Sequence, residues 1–336
     1  MKKHKLHFLS MSVITLFFIL LPAAGQAAPK KVLAVFSYAE EFTWVQKIKG
    51  GIDSVLADSC EIRYFYLNTK KDLEGGPQKA QEAFALYKEF QPDGVITVDD
   101  NAQSMFVVPF LKDKVKTPVM FCGVNAEPSK YGFPASNVSG VLERIPTAQT
   151  IILAQQLVPS AKTIACLAKD GPATHAIFNQ IKKEMDAYSA SIAAFQTVKT
   201  QEETISAAEK LKNKADLLYV VSTKGIKNKN GTTLSSPEII SMLAKVFGKP
   251  VISPIGINIK SGALCGAVVS ASDQGANAAK MLSKAMGGTP VNKLPIVKET
   301  LGRQMINIDT LKALKLKPNP DAMRTSELVR TDKSAD

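Results

Sequence analysis

Two adjacent carboxylates and an amide, Asp99-Asp100-Asn101, stand where the apolar run Gly94–Val98 stops. Such a group can hold an ammonium ion through charge-assisted hydrogen bonds, and an Asp at a helix start serves equally as a cap. Trp44, the only tryptophan, follows the first apolar run at the entrance of a helix. Its ring is either a stacking surface for a planar ligand or packing beneath its own loop. Ser37 and Tyr38 lie just before it, and Gly123-Val124-Asn125 ends another apolar run. The second half of the chain repeats the pattern, with Lys169, Asp170 and Thr174 after one run, Ser222 and Thr223 after the next, and Pro254 after a third. The hydroxyls of Ser37, Ser222 and Thr223, with helix-start amides, suit a carboxylate, although capping is an equal use of the same atoms. Asp273 opens a small-residue helical stretch and completes the set of ligand-binding candidates.

Catalytic sets are missing. His4 and His7 fall in an amino-terminal leader, so a Ser-His-Asp arrangement would rest on His175, which stands at a helix start beside Thr174. No G-x-G-x-x-G follows the first apolar run, and no G-x-x-x-x-G-K-[ST] occurs. Glu40-Glu41 and Asp99-Asp100 are neighbours in sequence whose side chains point apart, so neither pair implies acid/base work. Cys60, Cys122, Cys166 and Cys265 lack the spacing of a zinc site. Each lies in or beside an apolar strand run and reads as a small buried thiol, with a disulfide inside one lobe left open. The expectation is a binding protein without metal or cofactor and not an enzyme; a secreted hydrolase is the least supported alternative.

Strand ends must position these candidates, and the chain supplies two matched series of them. Lys31–Phe36, Glu61–Leu67 and Pro92–Val98, separated by helical stretches, are echoed by Lys162–Leu167, Ser191–Phe195 and Ala215–Val221. Each series adds one strand after a proline, Pro118–Phe121 and Pro250–Ser253. Val45, Ile48, Ile52, Val55 and Leu56 recur at helical spacing between the first two runs. Strands alternating with helices of this length imply βαβ units and parallel sheets covered on both faces. Ligands of such sheets bind beyond the carboxyl ends of the strands, where all the candidates but Asp273 fall.

Residues 1–27 read as a signal peptide: Lys2, Lys3 and Lys5, the short apolar run Val13–Leu21, then small residues ending at Ala27. The formal charge of +12 becomes 12 − 3 = +9 without those three lysines. The remaining basic residues are scattered without interleaved aromatics, which argues against a nucleic-acid partner. A periplasmic monomer follows as the expectation.

QPDGVITVDDNA, TPVMFCGVNAEPSKYG, NVSGVLE, LVPSAKTIACL and GRQMINIDTLKALKLKPNP together resemble the ABC transporter substrate-binding proteins of the ABC_sub_bind type. The resemblance implies two Rossmann-like lobes of the type I periplasmic binding protein fold, joined by three crossings near Leu142–Thr147, Ser270–Asp273 and Glu299–Gly302. The lobes would comprise residues 28–146 with 272–299, and 147–271 with 300–322, leaving 323–336 as a disordered tail. It also implies a small organic ligand, amino-acid-like or aromatic, and a membrane ABC permease as partner. Asp99-Asp100-Asn101-Ala102 and Gly123-Val124-Asn125-Ala126 replace the Thr-Pro-Ala and Asp-Pro loops of the transporter branch, and with Ser37, Tyr38 and Trp44 they are similar to the branch that serves as an extracytoplasmic sensor for a membrane-bound signalling protein.

Overall fold

The computed structural model describes residues 28–299 and 302–332; the leader 1–27 lies outside the described residues. The first stretch of chain forms β1 (Lys30–Phe36), α1 (Thr43–Leu56), β2 (Cys60–Tyr66), α2 (Gly76–Phe90), β3 (Gly94–Val98), α3 (Asp99–Ala102), β4 (Val119–Val124) and β5 (Val138–Glu143). The second forms α4 (Thr147–Leu157), β6 (Thr163–Lys169), α5 (Pro172–Glu184), β7 (Ser191–Val198), α6 (Gln201–Lys212), β8 (Leu217–Val220), α7 (Ser236–Phe247), β9 (Val251–Ile252), α8 (Gly256–Lys260) and β10 (Cys265–Val268). Then follow α9 (Ala271–Met286), β11 (Val297–Glu299), β12 (Arg303–Asn307), α10 (Ile308–Ala313), α11 (Pro320–Thr325) and β13 (Glu327–Val329).

The first lobe is a six-stranded parallel sheet in the order β11-β5-β4-β3-β1-β2. Alternation along β1 divides its core: Val32, Ala34 and Phe36 pack with α1 and α9, while Leu33 and Val35 face the cluster of Ala80, Ala83, Phe106 and Leu111. The two helices on the first face cross closely. A Cβ on Gly51 would lie 2.0 Å from the Ser272 carbonyl oxygen, and one on Gly275 would lie 2.2 Å from that of Ile48. Only glycine admits this approach.

The second lobe holds the parallel sheet β7-β6-β8-β9 and the sheet β10-β12-β13. Hydrogen bonds from the amides of Leu264 to Val251 O and of Ser253 to Cys265 O tie the two sheets together. β12 runs antiparallel to β10, a departure from wholly parallel pairing. Between the two strands the chain visits the first lobe as α9 and β11.

Crossings lie between β5 and α4, between β10 and α9, and between β11 and β12. The chain leaves the first lobe from the carboxyl end of β5 and the second from that of β10, so strand-end loops of both lobes border the crossings. The carboxyl terminus corrects the expectation of a disordered tail over 323–336. Asn319 caps α11 by accepting from the amides of Asp321 and Ala322, and β13 pairs parallel to β12 from Met305–Glu327 to Asn307–Val329. Residues 333–336 lie outside the described residues. Three residues of strand among polar neighbours carry too little hydrophobic signal to be read, and only the exposed edge of β12 makes them a strand. All four cysteines are free thiols, and Cys122, Cys166 and Cys265 are buried. Among the described residues no helix is long and apolar enough to cross a membrane.

Candidate functional site

β3 ends in a backbone device. Asp99 follows it with φ +65°, in the left-handed region that side chains rarely adopt, and its carbonyl is held by Gln103 Nε2 at 3.1 Å. This conformation puts the Asp99 side chain, only 4% exposed, back against the ends of the neighbouring strands. Trp44 Nε1 donates to its Oδ1 at 3.0 Å. Its Oδ2 is buried and has no hydrogen-bond partner among the described residues. Beside it, Gly123 has φ +68°, and a Cβ there would come 3.0 Å from Asp99 Oδ1. Gln274 of α9 fixes this glycine by accepting from its amide at 3.0 Å.

Asp100, one residue on, is fully engaged within its lobe. Its carboxylate accepts from the amides of Asn125 (3.1 Å) and Ala126 (3.2 Å) and from Tyr131 Oη (2.7 Å). Asn125 in turn donates from Nδ2 to Glu143 Oε2 at 3.1 Å. Glu143, the last residue of β5, thereby joins the group.

Three carboxylates at neighbouring strand ends shape the local field. Burial, reinforced by the Glu143 and Asp100 charges, holds the Asp99 carboxyl well above the usual carboxylate range, against the Trp44 hydrogen bond and the Lys70 charge. Burial, with the Asp100 charge, pushes Glu143 up to about 7, while the Asn125 hydrogen bond and Arg144 oppose it. Tyr38 is half-buried, and its phenol is raised by burial and by the charges of Asp99, Asp100 and Glu143. Its ring meets Phe42 edge-on, and the Lys70 ammonium lies 4.1 Å from its centroid.

Tyr38, Trp44, Asp99, Asp100, Gly123 and Asn125 are thus brought together, while three other candidates of this lobe are occupied elsewhere. Ser37 is fully buried, donating to Val98 O and accepting from the Ala102 amide, so it ties α3 to β1. Asn101 donates to Thr69 Oγ1 at 2.8 Å. Asp273 is exposed in the first turn of α9, its amide on Ser270 Oγ. In the second lobe, Asp170 pairs with His175 Nε2 (2.9 Å) and Lys199 Nζ (3.5 Å). The His175 hydrogen bond, with Lys199, holds the Asp170 carboxyl below its usual range. Thr174 donates to Lys169 O at 2.6 Å. The Lys169 amide donates to Ser222 O, Thr223 Oγ1 lies 3.2 Å from Ser236 Oγ, and Pro254 is buried. The Lys169 ammonium has neither hydrogen bond nor ion pair among the described residues, where a Cβ on Gly171 would be 3.9 Å from it.

Glu143 and Gln274 are the residues that sequence reasoning missed. Glu143 closes a run that reads as strand interior, and Gln274 reaches the site only because α9 returns to the first lobe. Among the described residues, no group of three or more His, Cys, Asp or Glu is arranged to hold a metal ion.

Residues 102–326 match the family described as ABC transporter substrate binding protein. A curated relative, a tyrosine-binding protein of Clostridioides difficile, is 26% identical over 181 residues, 54% of this chain and 50% of the relative. The match therefore spans about half the length of that relative. The ligand-free, open structure of a substrate binding protein with adhesive properties from Clostridium difficile superposes with TM-score 0.69 at 20% identity, covering 90% of this chain and 100% of the other. The Streptococcus pneumonia ABC domain in complex with L-Trp gives TM-score 0.57 at 19% identity over 90% and 100% of the two chains. The fold is that of the two-lobed periplasmic binding proteins, and the chain belongs to the ABC transporter substrate binding protein family.

Proposed function

We propose that this chain is an exported receptor that closes its two lobes on an aromatic amino acid or close analogue and presents it to an ABC permease. The observation that carries the reading is the Asp99 carboxylate, buried beside Trp44 and Tyr38 with one oxygen lacking a partner among the described residues. A buried anion of this kind is costly until a cation reaches it, and the adjacent rings offer flat apolar area to the rest of the ligand. The Lys169 ammonium on the second lobe, without a partner among the described residues, suits the opposite end of a zwitterion. The tyrosine-binding relative and the L-Trp complex support the same ligand class, and the basic and apolar leader over residues 1–27 supports export to the periplasm.

The test is a thermal-shift series on the exported protein. L-tyrosine or L-tryptophan at about 100 times its Kd should stabilise the protein by about 2.7 kcal/mol, whereas glutamate and ribose should not. Absence of any shift with aromatic amino acids would remove this ligand class.

A further inference from the structure

We propose that Asp99 and Glu143 form a two-carboxylate seat for a primary ammonium, and that the ligand's amine, rather than its carboxylate, is the group by which it is admitted. The inference rests on the receptor reading above and names the group that the site selects. Its geometry is a conjunction of independent features. Asp99 Oδ2 is buried and has no partner among the described residues, while Oδ1 is already held by Trp44. Glu143 Oε2 is anchored by Asn125, and Oε1 has no hydrogen-bond partner among the described residues.

The nearest cation does not neutralise this pair. Arg144 is buried, but its Nη1 donates to the carbonyl oxygens of Val124 (3.3 Å), Asn125 (3.1 Å) and Glu143 (2.7 Å), and its Nη2 lies 3.7 Å from the Glu127 carboxylate. Lys70 lies over the Tyr38 and Phe42 rings, at 4.1 and 4.7 Å from their centroids. The other ionisable groups around the pair are Asp100, Tyr38 and the Cys122 thiol, each of which carries no charge or a negative one. The backbone strain at Asp99 and the glycine at position 123 serve to place this one carboxylate.

A seat of this kind is linked to protons. With Glu143 near 7 and the Asp99 carboxyl also raised by burial, the seat holds protons in mild acid, and an arriving ammonium releases them to solvent. Binding therefore strengthens as pH rises through this value. Amine ligands and their phenol keep their charge states over the same range.

Calorimetric titration of the full exported chain with L-tyrosine, tyramine and the arylpropionate that lacks the amine tests the seat. L-tyrosine and tyramine should bind about tenfold more weakly at about pH 6 than at about pH 8, and the arylpropionate should bind at least about a hundredfold more weakly than either. Glu143→Gln should reduce the slope of the pH profile, and Asp99→Asn should abolish amine binding while the far-ultraviolet spectrum stays native. His175 pairs with Asp170 on the second lobe, so His175→Gln should retain the profile. A pH-independent wild type, a profile that follows His175 instead, or an arylpropionate that binds as well as tyramine would overturn the seat. Failure of all three probes to bind would instead overturn the receptor reading, and the seat with it.

Discussion

Asp100 sits next to Asp99 in sequence, yet its carboxylate is consumed by three donors that bind the loop after β4 to α3. Asp100→Ala strands the Tyr131 hydroxyl and two amides, which lowers the stability of the ligand-free protein by about 1–3 kcal/mol. Urea melts of the ligand-free protein check this, and an unchanged midpoint would show that the loop holds without it. Trp44 gives a second handle at this scale. As the only tryptophan, hydrogen-bonded to Asp99, it makes the chain's indole emission a single-site signal, which should shift when L-tyrosine fills the site and stay fixed in Asp99→Asn. The positions of both residues where apolar runs stop were legible in the sequence, but the use of Asp100 to hold the loop after β4, in place of the ligand contact expected of it, was not. Ser37 satisfied the same rule and serves the backbone instead, since a buried hydroxyl takes the nearest amide and carbonyl. Glu143 was illegible because its environment is made by β4 and α3, distant in sequence.

At the scale of elements, the alternation of apolar strands with amphipathic helices was enough to read two α/β lobes, because parallel sheets bury both faces and leave continuous apolar runs. Pairing order and direction were not readable. β10 and β12 pair antiparallel although the chain between them belongs to the other lobe, and β13 is three residues completing an open edge. The α1–α9 crossing is the other element that spacing could not announce, since Gly51 and Gly275 are far apart in sequence. Gly51→Ala drives a methyl into the Ser272 carbonyl, and overpacking of this kind costs about 1–3 kcal/mol. Denaturant unfolding should show the loss, whereas Gly50→Ala, with nothing within 4 Å of its added carbon, should not.

For the whole molecule, the lobes touch lightly near the first crossing. Lys183 of α5 lies 3.5 Å from Glu127 of the first lobe, both exposed, and Gln180 Nε2 donates to Ile145 O at 3.1 Å. An exposed pair contributes about 0–1 kcal/mol, so Lys183→Ala should leave the melting transition nearly unchanged. Saturating L-tyrosine should reduce the radius of gyration in small-angle scattering, because a cleft lined from both lobes buries a ligand only when they approach. Constancy on binding would argue against hinge closure.

The three crossings also set the order in which the molecule can be built. The first lobe lacks the helix that covers Val45, Ile48 and Ile52 until α9 has been made, and the second lacks β12 and β13 until the last residues arrive. A chain emerging amino terminus first therefore completes the first lobe only with α9 and β11 and the second only with β12 and β13, and these long-range closures slow folding. Until α9 is made both halves stay open at once, and the half that begins the chain cannot close without segments from near its far end.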